Sequence, residues 1–73
     1  MKNEEILTIQ EILKKSSAFL TKKGVENPKL DSELIISETL EKKRMELFLN
    51  YRDIVQKEHI KLIRERLIKR GRR

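Results

Sequence analysis

Seventy-three residues, of which 41% are charged, 37% apolar and 4% aromatic, with two glycines, one proline and no cysteine, describe one small, charged helical domain. A chain of this size buries only roughly 60% of its unfolded surface, which makes one modest core and leaves no room for a second domain or a self-contained cofactor pocket. The lack of cysteine excludes a disulfide framework, a thiolate metal site and a cysteine nucleophile, and apolar runs no longer than Leu34-Ile35-Ile36 are too short for a membrane span or a signal-peptide core, so a cytoplasmic chain is expected.

The first element is announced by Thr8 and Glu11, spaced as a capping box in which the hydroxyl accepts from one unpaired amide and the carboxylate accepts from another. Ile9, Ile12, Leu13, Phe19 and Leu20 then recur on one helical side, with Ser16 inside the stripe. Lys22 and Lys23 suit the negative end of the helix dipole, and Gly24 can take the left-handed conformation that ends a helix. These signals predict a helix over residues 8–23.

Asn27-Pro28 starts the second helix, because Asn is a capping residue and proline at the first helical position loses only an amide hydrogen that would be unpaired anyway. Leu30, Leu34, Ile35, Ile36 and Leu40 occupy more than a narrow stripe, so this helix is expected to be central and to touch partners on two sides. Arg44 to Leu49 predicts a short helix, and Asn50-Tyr51-Arg52-Asp53 an irregular connection. The last helix is predicted over residues 56–70, with Ile60, Ile63 and Leu67 as its apolar stripe. Leu62 falls roughly 160° from that stripe and should face outward, whereas Ile12, Leu34, Ile63 and Leu67 should be buried. No alternating segment and no repeat occurs, so the fold class is all-α, a small four- or five-helix bundle.

Candidate chemistry is sparse. His59, the lone histidine, sits among Glu58, Ile60 and Lys61 and reads as a solvated helix-surface residue. Asp31, Glu33 and Glu38 cluster in sequence, but Asp31 and Glu33 point to different sides of a helix and the helix dipole already accounts for acids in its first turn. Two glycines 47 positions apart cannot form a phosphate or dinucleotide loop, so no cofactor-binding, catalytic or metal-ligating residue is assigned. Ser16-Ser17 reads as small-residue packing or a hydroxyl bonded back to its helix, Phe19, Met45 and Phe48 as core, and Tyr51 as a lid over that core.

Charge is distributed unevenly. Residues 1–55 balance ten Lys/Arg against ten Asp/Glu, so the whole net charge of +6 lies in residues 56–73, which end Lys69-Arg70-Gly71-Arg72-Arg73. Such a surface fits an acidic protein or a phosphate backbone, and Lys61, Arg64, Arg66, Lys69 and Arg70 are the partner-binding candidates. The segment contains no aromatic residue and follows no short Gly-centred turn, both of which would favour nucleic acid.

With these elements placed, Thr8-Ile9-Gln10-Glu11-Ile12-Leu13, Leu20, Gly24 and above all Pro28 to Ile36 resemble the N-terminal domain of the HemK-type peptide chain release factor N5-glutamine methyltransferases. Arg44, Leu47 and the closing Lys69-Arg70 match the same pattern, whereas Ser32, Ile35, Ile36 and Glu41-Lys42 depart from it, the last pair standing where a glycine usually closes the second helix. The resemblance implies a single helical domain over residues 1–73 that precedes a catalytic domain absent from this sequence. It also implies an S-adenosylmethionine-dependent parent enzyme that methylates the glutamine of the Gly-Gly-Gln loop of release factors. The expected partners are a release factor and the catalytic domain of the same chain, with no membrane and with nucleic acid as the weaker alternative. The family's cofactor glycines and Asn-Pro-Pro-Tyr signature belong to that second domain. Here Asn27-Pro28 runs on into Lys29-Leu30, so no catalytic role carries over and the domain alone is expected to be non-catalytic and to hold no cofactor. The rival readings are a small basic RNA- or ribosome-binding module, motivated by the basic end, and a structural dimerisation bundle, motivated by Leu62.

Overall fold

The computed structural model describes residues 6–72. Four helices, α1 (Ile9–Lys22), α2 (Pro28–Leu40), α3 (Arg44–Leu49) and α4 (Lys57–Gly71), make up an all-α bundle to which two short strands are added, β1 (Leu7–Thr8) and β2 (Ile54–Val55). The strands pair antiparallel, with Leu7 opposite Val55 and Thr8 opposite Ile54. Their two-residue length leaves no alternation for sequence reading to detect.

Each helix boundary has a local cause. At the start of α1, Thr8 Oγ1 accepts from the Glu11 amide at 3.2 Å while the Thr8 amide donates to Glu11 Oε1 at 2.9 Å, the reciprocal pair the spacing predicts. The helix ends before Gly24, whose φ of +77° is open to glycine at little steric expense. Pro28 occupies the first turn of α2, but the Asn27 side chain makes no capping hydrogen bond. α2 closes through Glu41 in the left-handed conformation, φ 58°, where a glycine would be unstrained. Two amides at the start of α1 are satisfied from far along the chain: Ile9 N donates to Asp53 O at 2.9 Å and Gln10 N to Tyr51 O at 3.1 Å. The irregular α3–α4 connection is thereby fixed as a cap on α1.

Helix α2 is central and lies against the other three helices. The core comprises Leu7, Ile9, Ile12, Leu20, Val25, Ile36, Leu47, Val55, Ile60, Ile63 and Leu67. Leu34 is not in it, contrary to the sequence expectation: it is 41% exposed, while Ile36, roughly 160° away around the helix, is fully buried. The inward face of α2 is built instead from Ser32, Glu33, Ile36, Ser37 and Thr39. Small hydroxyl residues let α1 and α4 approach the α2 backbone closely, and each of their hydroxyls is satisfied within the helix. Ser32 Oγ donates to Pro28 O at 2.7 Å, Ser37 Oγ to Leu34 O at 3.1 Å and Thr39 Oγ1 to Ile35 O at 2.8 Å. The broad apolar coverage of α2 therefore did not identify its buried face.

Met45 and Phe48, expected in the core, are exposed; a single turn of α3 buries only Leu47. Phe19 is half-buried against the core, as expected, and Tyr51 lies over it with its ring 5.5 Å from that of Phe48, edge to face. Leu62 faces outward, and Ile12, Ile63 and Leu67 are buried.

Candidate partner-binding surface

The five basic candidates lie on α4, and at about 100° per residue they do not share one face. Relative to the buried stripe of Ile60, Ile63 and Leu67, Arg66 and Arg70 lie on the flank that meets α2, Arg64 and Lys61 on the flank toward α1, and Lys69 on the outer side near Leu62. The inner pair is engaged within the fold. Arg66 Nη1 donates to Thr39 Oγ1 at 2.9 Å. Arg70 Nη2 forms an ion pair at 2.7 Å with Asp31 Oδ2, out of line for a hydrogen bond. These two arginines hold α4 to α2, so of the five they are the least suited to a partner. Arg73 lies outside the described residues.

The acidic residues of α2 have structural partners as well. Glu33, buried except for a small edge, accepts from Arg44 Nε at 3.2 Å and Nη2 at 2.9 Å on the same oxygen, which ties α2 to α3. Asp31 faces α4, so the two carboxylates point to different elements, as their spacing requires. His59 is half-exposed near the start of α4. Among the described residues no group of three or more His, Cys, Asp and Glu side chains is arranged to hold a metal ion, and no helix is long and apolar enough to cross a membrane.

The opposite flank of α4 forms a surface that sequence reading missed. β1 and β2 pair just before α1 and α4 begin, and at their far ends a Cβ placed on Gly71 would come within 2.9 Å of Lys23 Cγ and 3.4 Å of Phe19. The two helices therefore run side by side in the same direction. Between them lies a groove of about 300 Å³, floored by Leu7, Ile12, Phe19, Ile60, Ile63 and Leu67 and edged by Lys15, Arg64 and Ile68. Lys15 is exposed, and Ile68 is 52% exposed at the groove margin. Ser16 also lines the groove. Its hydroxyl is buried and has no hydrogen-bond partner, so of the two expectations for this residue the packing role holds and the back-bond does not. An unpaired buried hydroxyl costs about 1–3 kcal/mol relative to a satisfied one. The signal in the sequence was a hydroxyl inside an apolar stripe; what it lacked was the neighbour, because Ile68 lies 52 residues from Ser16.

The residues that carry the family resemblance are largely those that build the fold: Thr8 and Glu11 cap α1, Leu20 and Leu47 are buried in the core, and Glu33 pairs with Arg44. No solved structure matches this chain. Among curated proteins, the release factor glutamine methyltransferase of Leptospira interrogans is 32% identical over 68 residues, a match that takes in 93% of this chain and 23% of the relative's own length. The chain thus spans about a quarter of that relative. A family model described as the PrmC N-terminal domain matches residues 11–73, and the chain belongs to that family.

Proposed function

We propose that this domain recognises and positions a peptide chain release factor for an S-adenosylmethionine-dependent catalytic domain in the same polypeptide, which methylates the glutamine of the Gly-Gly-Gln loop, and that the domain itself is non-catalytic. The observation that carries this reading is membership of the PrmC N-terminal domain family, together with a match to about a quarter of a protein whose name is release factor glutamine methyltransferase. An amide nitrogen is a poor nucleophile, so its methylation depends on precise placement of the target loop. A contact far from the reacting atoms lets binding energy from the remote surface of the substrate contribute to that placement. The fold supports such a role, because α4 carries most of the excess positive charge on a helix anchored from α2 by Arg66 and Arg70, leaving Lys61 and Lys69 outward.

The test uses the longer enzyme. Charge reversal at Lys61 and Lys69 together should lower kcat/KM for an intact release factor about tenfold, the loss of roughly one strong interaction, while a short peptide carrying only the target loop is methylated as before. Equal losses on both substrates would overturn the reading and assign these residues to folding or domain docking. For the nucleic-acid alternative, the expectation is sequence-independent RNA binding that falls steeply with salt.

A further inference from the structure

We infer that the cleft bordered by α1, α2 and α3 is a docking site for a protein segment that inserts an aromatic side chain flanked by carboxylates. Helical spacing assembles the cleft. Gln10, Leu13, Lys14 and Ser17 share one face of α1, Lys29 and Glu33 share one face of α2, and Phe48 and Tyr51 are three residues apart at the end of α3. The volume of about 240 Å³ falls below the roughly 300–1,000 Å³ of small-molecule sites and suits one large side chain. Its apolar lining is accessible, since Leu13 and Tyr51 are half-buried and Phe48 is 42% exposed. The two rings meet edge to face at 62°, so they offer a face and an edge to a third ring but no parallel slot for a stacked nucleobase. That geometry favours a protein side chain over nucleic acid.

Charge selects what flanks the ring. Lys14 and Lys29 are exposed, and among the described residues neither they nor the side chains of Gln10 and Ser17 have a hydrogen-bond or ion-pair partner. The acids of the three helices are already committed or face elsewhere. Glu11 accepts from the Thr8 amide, Glu46 from the Lys43 amide, Asp31 pairs with Arg70, and Glu33, the acid that lines the cleft, is held by Arg44 at 2.9 Å. Glu38 lies roughly 180° around α2 from Lys29, and Glu26 and Asp53, in the adjoining connections, do not line the cleft. Two uncommitted cations on two different helices therefore border the apolar lining, and carboxylates on either side of the inserted ring complement them. The Gln10 amide and the Ser17 hydroxyl are free to bond the backbone of the guest. An aromatic anchor seated in a pocket with polar flanks is the usual anatomy of a binding hot spot.

The inference is independent of the positioning role, whose test changes Lys61 and Lys69 of α4, both outside this cleft. The probe is the capped tripeptide acetyl-Glu-Phe-Asp-amide, titrated into the isotope-labelled 73-residue chain while its amide shifts are followed. Saturable, salt-sensitive shifts concentrated at Leu13, Lys14, Lys29, Phe48 and Tyr51 are the expected result. Affinity should weaken about tenfold in Phe48→Ala, which removes one wall of the pocket, and about fivefold in each of Lys14→Glu and Lys29→Glu. Circular dichroism verifies the fold of each variant, and the two exposed lysines keep the test decisive if Phe48→Ala is unstable. Three control ligands probe the stated chemistry: the same peptide with alanine for phenylalanine, the same peptide with lysines for both acids, and adenosine monophosphate. Each should bind at least about fivefold more weakly than the probe. Absence of saturable shifts, shifts centred away from the cleft, or an affinity within about twofold of wild type in both lysine variants would each overturn the inference. So would a control ligand that binds as tightly as the probe.

Discussion

Truncating Ile36 and Leu34 to alanine separates the two possible faces of α2. The residues are two apart in sequence and chemically alike, yet Ile36 is fully buried and Leu34 is 41% exposed. Removing the Ile36 side chain opens a cavity among α1, α2 and α4, and large-to-small changes at such sites cost about 2–5 kcal/mol. Leu34 loses only the covered part of its side chain, and alanine is the better helix former, so its truncation should cost about 0.5–1 kcal/mol. A domain of 73 residues has a total stability of about 4–11 kcal/mol, so Ile36→Ala removes a large share of it and Leu34→Ala does not. In thermal terms a 3 kcal/mol loss lowers Tm by about 12–24 °C for a domain of this size, and a 0.5 kcal/mol loss by about 2–4 °C. Urea denaturation followed by circular dichroism gives the midpoints, and unchanged m values would show that the denatured states are comparable. If Leu34→Ala proves as destabilising as Ile36→Ala, the rotation of α2 described above is wrong and its leucine face is the buried one.

The Glu33–Arg44 pair should show coupling in a double-mutant cycle of about 1–2 kcal/mol by denaturation, modest because Arg44 is half-exposed to solvent; additive single effects would contradict the pairing. Glu41→Gly should raise stability by about 0.5–1 kcal/mol by relieving a left-handed backbone conformation, and a lower urea midpoint would refute that reasoning. Ser16→Ala should be neutral or stabilising in the unbound domain, since it deletes an unpaired buried hydroxyl; a loss above about 1 kcal/mol in calorimetry would mean that the hydroxyl has a partner. Leu62→Ala should cost about 0.5–1 kcal/mol, as for Leu34 at nearly the same exposure, and a loss of about 2 kcal/mol or more would place Leu62 in the core.

Local chemistry determined the helices. The Thr8–Glu11 capping box, Gly24, Pro28 and the Ile60-Ile63-Leu67 stripe each act within a few residues, so the bounds of α1 and α4 and the all-α class were legible in the sequence, as were the family resemblance and the outward direction of Leu62. Which side of α2 faces inward was not legible, because its apolar residues surround the helix and the choice between Leu34 and Ile36 is made by the close approach of α1 and α4 to a hydroxyl-lined face. The two strands were equally hidden, since their pairing joins residues nearly 50 positions apart and serves to cap α1 from the α3–α4 connection. The basic residues were visible as a list, but only packing turned Arg66 and Arg70 inward onto Thr39 and Asp31 and set Arg64 beside the groove. The groove itself belongs to tertiary structure alone: the sequence supplies Ser16 and Ile68, and the side-by-side placement of α1 and α4 buries an unpaired hydroxyl beneath an apolar floor edged by Lys15 and Arg64.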